Sequence, residues 1–384
     1  MERFDVIVIG AGMAGSAAAW QLSNDGQRVL LLEQFEIGHA RGSSHGESRI
    51  FRFAYPQTEY AKFAMQSKPL WLALERDSRQ KLLHSIGGLD FADDPECFDE
   101  VKQIAVALKH NGAACEELDG NEIRRRYPQW RFPDGALGVF SPDGGWIEAS
   151  KAVRAMISQA TSQGAVVRNN EPVLNITPGE NVVVSTATQN YAARGLVITA
   201  GAWVNHLLKF FNTSLPVKIT QEQPIYFAPI RNAESFRPDR FPIWIHYRKP
   251  HFTYGFPVLE TPGIKLALHH DGPLIDPAIR DRTPNPDVRR RLREYLREYL
   301  PDAAGEIIEE VTCLYTTTPD HNFIIDLLPN LPNVAIASPC SGHGFKFATG
   351  IGRALADLIQ FGKTEMEISK NRFFSGHVAE KPNA

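Results

Sequence analysis

Basic and nucleophilic side chains are concentrated in a few short segments of this chain. The segment GSSHGESRIFRFAY holds His45, Arg49 and Arg52 within eight residues. If the residues after Ser48 form a helix, the two arginines lie at i and i+3, and both guanidinium groups would face one anion or one electron-rich ring. Spacing alone leaves a pair of surface arginines as an equally good interpretation.

Two C-terminal segments add further candidates. In TCLYTTTPDHNFIID, Cys313 and Tyr315 are two residues apart and share a face if this segment is a strand. In SGHGFKF, Gly342, Gly344 and Lys346 lie where a helix is predicted to begin. Backbone N–H groups and a cation there would stabilise an anionic cofactor or a substrate carboxylate, although a simple helix cap explains the glycines equally well.

The most specific local motif is Gly10-x-Gly12-x-x-Gly15, which follows the strand-like run DVIVI and opens an Ala-rich helix. Glycine at these positions allows a tight turn and lets a pyrophosphate approach the backbone. Glu33 ends the next strand, where its carboxylate can accept hydrogen bonds from a ribose and disfavours a 2′-phosphate. The motif therefore predicts a bound dinucleotide, but it does not distinguish FAD from NAD.

The surrounding elements indicate an α/β fold with two domains. A β-α-β unit begins the chain, residues 165–200 resemble a β meander that returns to the first sheet, and residues 217–270 alternate as antiparallel strands. These patterns predict a Rossmann-like dinucleotide-binding domain made of residues 1–84, 146–216 and 311–384. An α+β substrate domain with an antiparallel sheet would take residues 85–145 and 217–310, so both domains are discontinuous in sequence.

Composition excludes several classes of function. With 384 residues, 43% of them hydrophobic, and a formal net charge of −3, the chain offers no general electrostatic attraction to nucleic acid or to an anionic membrane. The first apolar run is too short for a signal peptide or a membrane span, which predicts a cytoplasmic protein. The four cysteines lack metal-site spacing, so no metal is predicted.

Six segments, in this order, resemble the family of monomeric sarcosine oxidase and N-methyltryptophan oxidase, which are covalent flavoprotein amine oxidases of the D-amino-acid oxidase superfamily. The resemblance extends over essentially the whole chain. Its segments are VIVIGAGMAGSAAA, GSSHGESRIFRFAY, YGFP, GIKLALHH, the Cys313 segment with its FIID, and SGHGFKF.

This resemblance implies a role for each matching residue. FAD would be the cofactor and its 8α-methyl carbon would be bonded to the sulfur of Cys313. Arg52 and Lys346 would bind the substrate carboxylate, and Lys265 would lie against the flavin and promote its reoxidation by dioxygen. The remaining implied positions are His45 and Arg49 beside the flavin, and Tyr254, His269 and Tyr315 in the wall of the substrate cavity.

The implied reaction is oxidation of a secondary amino acid, such as sarcosine, another N-methyl amino acid or a cyclic imino acid, by a monomeric enzyme. The imine product would be hydrolysed and dioxygen would become hydrogen peroxide. An oxidase for a bulkier or glycated amine and an amine dehydrogenase with another electron acceptor are the alternatives. The chain departs from the family pattern at Phe53 and Cys340, and around Trp244, His246 and Tyr247 near the expected cavity wall. These departures bear on which substrate is used.

Overall fold

The computed structural model describes residues 1–132 and 134–371. In chain order the strands are β1 (Glu2–Ile9), β2 (Val29–Leu32), β3 (Ser48–Phe51), β4 (Leu83–Ser85), β5 (Gly88–Ala92), β6 (Glu116–Asp119), β7 (Leu137–Ser141), β8 (Gly145–Glu148), β9 (Val166–Arg168), β10 (Asn175–Thr177), β11 (Val182–Ser185), β12 (Asn190–Ile198), β13 (Lys218–Glu222), β14 (Ile225–Phe227), β15 (Ile243–Tyr247), β16 (Thr253–Phe256), β17 (Ile264–Leu268), β18 (Ile307–Glu310), β19 (Cys313–Thr317), β20 (Ile324–Leu328) and β21 (Leu331–Ser338). The helices are α1 (Met13–Asn24), α2 (Thr58–Ser78), α3 (Phe98–His110), α4 (Gly120–Arg126), α5 (Ala149–Ser162), α6 (Val204–Leu208), α7 (Pro286–Tyr299) and α8 (Ala348–Phe361).

The first sheet is built around β1 and has the order β10-β11-β12-β1-β2-β9. β1 pairs in parallel with β2 and β12, and β12 also pairs in parallel with β21. Val6 and Val8 pack with residues of α1, α5 and α8, whereas Ile7 and Ile9 belong to a second apolar cluster. A strand covered on both faces requires the continuous apolar run seen in the sequence. The predicted Rossmann-like framework is confirmed.

The second sheet has the order β18-β14-β17-β16-β15-β5-β7-β6 and is antiparallel except where β15 meets β5. Phe91 and Trp244 pack with Leu296 of α7 in one apolar cluster. Because side chains alternate along a strand, the neighbouring residues Asp90 and Ile245, which are register partners, lie on the opposite face. Ile245 and Tyr247, which lie on this opposite face, line the same cavity as Gly10 and Gly12 of the first sheet's turn. The division of the chain into two discontinuous domains stays a prediction.

The segment after Ser48 is a strand, so the helix considered for it is wrong. β3 pairs with β8, and Arg49 lies opposite Ile147 in the register. The β-branched and aromatic residues Ile50 and Phe51 favour a strand, and hydrogen bonds to β8 satisfy the backbone N–H and C=O groups of β3. Residues three apart in extended chain point to opposite sides, so Arg49 and Arg52 are directed to different partners.

Within residues 1–132 and 134–371, no helix is both long enough and apolar enough to cross a bilayer.

Candidate active site

One cavity of about 620 Å³ extends from the turn after β1 to the inner face of the second sheet. It brings together residues that are more than 300 positions apart in the sequence, such as Gly10 and Lys346. Of the residues to which the sequence assigns a catalytic, substrate-binding or cofactor-binding role, all but Gly15 line it: Gly10, Gly12, Glu33, His45, Arg49, Arg52, Tyr254, Lys265, His269, Cys313, Tyr315, Gly342, Gly344 and Lys346.

The glycine turn closes one end of the cavity. Gly10 has φ +99°, and a Cβ added there would lie 2.5 Å from the carbonyl oxygen of Thr199. Gly15 lies under the turn, where a Cβ would lie 1.8 Å from the carbonyl oxygen of Gly10. Oε2 of Glu33 accepts a hydrogen bond from the backbone N–H of Ala11 at 2.9 Å, so the carboxylate is held beside the turn. Burial opposes ionisation, but hydrogen bonds from His39 and Ala11 lower the pKa of Glu33.

Three basic residues line the middle of the cavity. Lys265 on β17 donates from Nζ to the carbonyl oxygen and to Oγ of Ser48, both at 3.1 Å. Burial, together with the charge of Arg49, lowers the pKa of Lys265 to about 7. The same two causes lower the pKa of His45 to about 4, so its imidazole is neutral at physiological pH. Arg49 instead donates to backbone carbonyls, including those of Ser43 and His45.

Cys313 begins β19 and pairs with Glu222 of β13 in the register. Burial raises the pKa of its thiol to about 11, while the positive charges of Arg49 and Lys265 act in the opposite direction. Tyr315, two residues on, also lines the cavity, as expected for a strand. The thiol is therefore protonated at neutral pH in the flavin-free protein.

Aromatic side chains enclose the space next to Cys313. The imidazole Nδ1 of His269 is 3.3 Å from Oη of Tyr315, and the His269 ring meets that of Tyr254 edge-on. Gly342, with φ +77°, allows this packing, because a Cβ there would lie 2.4 Å from the Tyr315 ring. Burial lowers the pKa of His269 far enough to keep it neutral and raises the pKa of both tyrosines. These uncharged rings form a wall that can exclude water.

The far end of the cavity contains two buried cations. Nη1 of Arg52 lies 2.5 Å from Oδ1 of Asp90. Nζ of Lys346 donates to Oη of Tyr55 at 2.8 Å and to the carbonyl oxygen of His343 at 2.7 Å. Lys346 precedes α8, and burial lowers its pKa. A carboxylate entering this end would meet both positive groups.

Several residues of the site were not found from the sequence. Tyr55 ends the segment GSSHGESRIFRFAY, but no pattern there predicts a role for it. Asp90 did carry a signal, because it is a charged residue within the apolar strand GLDFA. Glu171, whose Oε1 accepts hydrogen bonds from Tyr191 and two threonine hydroxyls, lines the cavity at the glycine-turn end and carried no recognisable pattern.

Two aromatic positions expected near the cavity wall lie elsewhere. Trp244 packs against Trp130 and Phe241 in the cluster under α7, and His246 is bonded to Asp93 at 2.8 Å. Only Tyr247 of that group lines the cavity. The physical reason is the alternation of side chains along β15, which sends Trp244 and His246 to the face opposite Tyr247.

In the described part of the chain, no three His, Cys, Asp or Glu side chains are grouped in a way that could hold a metal ion.

Comparison with known proteins gives consistent matches over nearly the full length. The family model described as FAD dependent oxidoreductase matches residues 5–358. The chain is 36% identical over 372 residues to monomeric sarcosine oxidase of Bacillus sp. (strain B-0618), covering 96% of this chain and 95% of that protein. It is 37% identical over 363 residues to human peroxisomal sarcosine oxidase, with coverages of 93% and 92%.

Solved structures extend the likeness to the fold. The open form of NikD, an unusual amino acid oxidase essential for nikkomycin biosynthesis, superposes with a TM-score of 0.84 at 26% identity, covering 97% of this chain and 98% of NikD. L-proline dehydrogenase from P. horikoshii superposes with a TM-score of 0.85 at 23% identity and 97% coverage of both chains, which is a likeness of fold.

Proposed function

This chain belongs to the family of FAD dependent oxidoreductases, and from that membership we propose that it oxidises the C–N bond of a secondary amino acid. The substrate would be sarcosine, another N-methyl amino acid or a cyclic imino acid. The products would be an imine, which water hydrolyses, and hydrogen peroxide from dioxygen. The observation that supports this proposal most is that one cavity joins the dinucleotide turn to the buried cations Arg52 and Lys346.

The residues of the cavity fit FAD. Gly10 and Gly15 leave no room for side chains at the turn, and Glu33 is placed to accept hydrogen bonds from a ribose. Nε2 of His45 is buried without a hydrogen-bond partner in the described part of the chain, so a polar group is still free to serve a bound ligand. When bound, the flavin supplies the electron transfer that removes a hydride equivalent from the C–N unit.

The protein's own residues would bind and orient the substrate. Charge-assisted hydrogen bonds from Arg52 and Lys346 would fix the carboxylate, which leaves the N-substituted carbon little freedom. Tyr254, Tyr315 and His269 would exclude water from the reacting centre. The ammonium group of Lys265 would stabilise the negative charge that develops on dioxygen as it is reduced.

We propose that Cys313 carries the flavin through its sulfur. In support, the thiol lines the same cavity as the dinucleotide turn. The purified protein should keep its yellow chromophore after acid precipitation, and Cys313→Ser should release it into the supernatant. A colourless wild-type pellet would contradict the linkage.

The substrate class is tested by anaerobic reduction of the bound flavin with a panel of amines. The panel contains sarcosine, proline and pipecolate, a bulkier N-methyl amino acid and a glycated amino acid. Fastest bleaching by a small secondary amino acid is the expected result. Faster bleaching by a bulky amine identifies the related oxidase activity instead, and slow reoxidation in air identifies a dehydrogenase.

We further infer that the protein acts as a monomer in the cytoplasm. Four bacterial relatives named monomeric sarcosine oxidase, at 34–36% identity, support the monomer. Light scattering of the purified holoenzyme should give a mass near the 42.8 kDa of one chain plus its FAD.

A further inference from the structure

A buried carboxylate lies behind the proposed carboxylate-binding cations. Asp90 on β5 has no exposed surface, and its Oδ1 accepts hydrogen bonds from Nη1 of Arg52 at 2.5 Å and from Oη of Tyr247 at 3.0 Å. Nη1 of Arg52 also donates to Oη of Tyr247 at 3.0 Å. The three side chains therefore hold one another in a closed triangle that joins β5, β15 and the chain after β3.

The triangle involves one nitrogen atom of the Arg52 guanidinium group, Nη1. Each hydrogen bond described for Arg52 comes from Nη1, including a further one to the carbonyl oxygen of Ala54. Nε of Arg52 is buried and has no hydrogen-bond partner among residues 1–132 and 134–371. A guanidinium binds a carboxylate best through two parallel N–H groups on one edge. The edge formed by Nε and Nη2 is thus the part of Arg52 available to a substrate.

Tyr55 connects this edge to the second cation. Cζ of Arg52 lies 4.7 Å from the centroid of the Tyr55 ring, and Oη of Tyr55 accepts a hydrogen bond from Nζ of Lys346 at 2.8 Å. Both basic groups therefore contact one aromatic residue, Tyr55. A single carboxylate can approach both of them.

The charges around this point leave room for one negative group. The carboxylate of Asp90 is paired with the guanidinium group of Arg52 and offsets its charge, which leaves Lys346 as the second basic group beside Tyr55. Burial raises the pKa of Asp90, but the adjacent guanidinium opposes that rise and the ion pair favours the ionised form. Burial lowers the pKa of Lys346, and a carboxylate beside it would favour its protonated form again. One substrate carboxylate therefore balances the site.

We propose that Asp90 and Tyr247 are positioning residues for Arg52, and that the charge of Asp90 restricts the site to substrates with one carboxylate group. Together they hold Nη1, so that the Nε edge faces the ligand. Without the charge of Asp90, the site would have an excess positive charge and would accept a second carboxylate. This inference rests on the proposed function for the identity of the substrate, but the preference for one carboxylate is a property of the site itself.

The test compares two anions with the same number of carbon atoms, propionate with one carboxylate and malonate with two. Their dissociation constants are measured on the holoenzyme from the change in flavin absorbance. Asp90→Asn removes the charge and keeps the shape, while Tyr247→Phe removes the two hydrogen bonds of the Tyr247 hydroxyl and keeps the charge. Asp93→Asn is the matched control, because Asp93 is a neighbouring acid that pairs with His246 on the other face of the sheet.

The wild type should bind propionate more tightly than malonate. In Asp90→Asn the affinity for malonate relative to propionate should rise about tenfold or more, since a charge within a few ångströms is removed from a poorly solvated site. In Tyr247→Phe both anions should bind about three- to tenfold more weakly at an unchanged ratio. The KM for the amino acid should rise by a similar factor, with a smaller change in the limiting rate of flavin reduction.

An unchanged ratio in Asp90→Asn, or the same increase in Asp93→Asn, overturns the charge selection. Unchanged anion affinities in Tyr247→Phe overturn the positioning role. Should Asp90→Asn fail to fold, Asp90→Thr offers a smaller neutral side chain with the same expected ratio. If no secondary amino acid reduces the wild-type flavin, the proposed function fails, whereas the anion affinities still decide this inference.

Discussion

At the scale of single residues, the environment of Lys265 matters more than its presence in the sequence. Its ammonium group is buried next to Ser48, whose carbonyl and hydroxyl oxygens accept its hydrogen bonds. A lysine in such a place is poised between its charged and neutral forms, because burial brings its pKa to about 7. A negative charge that develops nearby would favour the charged form and be stabilised by it.

Replacing Lys265 with methionine should slow reoxidation of the reduced flavin by a factor on the order of 10² to 10³, as for the loss of one preorganised charge-stabilising donor. Flavin reduction by the amine should change much less. Stopped-flow measurement of the two half-reactions separates these effects. Lys346→Met provides the control, because it should weaken amine binding and leave the reaction with dioxygen nearly unaffected. Equal losses in both half-reactions for Lys265→Met would contradict the assignment.

The lowered pKa of Lys265 also predicts how stability varies with pH in flavin-free protein. Between pH 7 and pH 10.5 the unfolded chain binds a proton at this lysine that the folded chain does not. Stability of the wild type relative to Lys265→Met should therefore rise with pH across this window, at up to about 1.4 kcal/mol per pH unit. Below pH 7 the difference should level off.

Denaturant unfolding of flavin-free wild type and Lys265→Met at pH 7, 8 and 9 measures this difference. The exposed Lys102 serves as the control, and Lys102→Met should show no comparable trend. A constant difference between wild type and Lys265→Met across these pH values would show that the lysine is not held in the way described.

At the scale of elements, the connection between β21 and α8 shows how a turn places functional groups. Gly344 packs so closely on the preceding chain that a Cβ would lie 1.6 Å from the carbonyl oxygen of Pro339. The short 3-10 helix Phe345–Phe347 follows directly and carries Lys346 into the cavity. The geometry of one glycine therefore determines where the second cation stands.

Gly344→Ala should destabilise the protein by about 3 kcal/mol or more, because backbone atoms must move to relieve the contact. The displacement should also raise the KM for the amine through Lys346. Thermal unfolding and steady-state kinetics measure the two effects. Gly42→Ala is a suitable control for stability, since its added Cβ would meet nothing closer than 3.7 Å. Similar melting temperatures for the two variants would be incompatible with this packing.

At the scale of the whole molecule, the cavity is the space between two sheets with different tasks. The first sheet presents the glycine turn and Glu33, and the second presents Tyr254 and Lys265. Neither sheet forms the site alone. A cofactor that contacts both sheets should act as a structural link as well as a reagent.

Bound FAD should accordingly stabilise the fold. In Cys313→Ser, where we expect the cofactor to exchange, the free energy of unfolding should increase with added FAD by about 2.7 kcal/mol at a concentration one hundred times Kd. Calorimetry across a series of FAD concentrations measures this increase, with AMP as a control ligand that can fill only part of the dinucleotide site. A melting temperature that does not depend on FAD would contradict the proposed position of the cofactor.

Much of the framework could be predicted from local sequence, because its causes are local. The run DVIVI, the spacing of Gly10, Gly12 and Gly15, and the acidic residue at the end of β2 act within a single strand-turn-helix-strand unit. The antiparallel strands of residues 217–270 likewise follow from the alternation of apolar and polar residues. Family membership was recognised from six segments in order and is confirmed by the comparisons. The roles assigned to individual site residues stay predictions.

Tertiary structure alone decided which side chains meet. Arg49 and Arg52 point to different partners because pairing with β8 holds β3 in an extended conformation. Trp244 points away from the cavity because side chains alternate along β15, which pairs with β5. The pairing of Arg52 with Asp90 joins residues 38 positions apart on different elements. Sequence patterns report periodicity within one element. The register and packing between elements depend on the whole chain, and this packing sets the charge balance of the site.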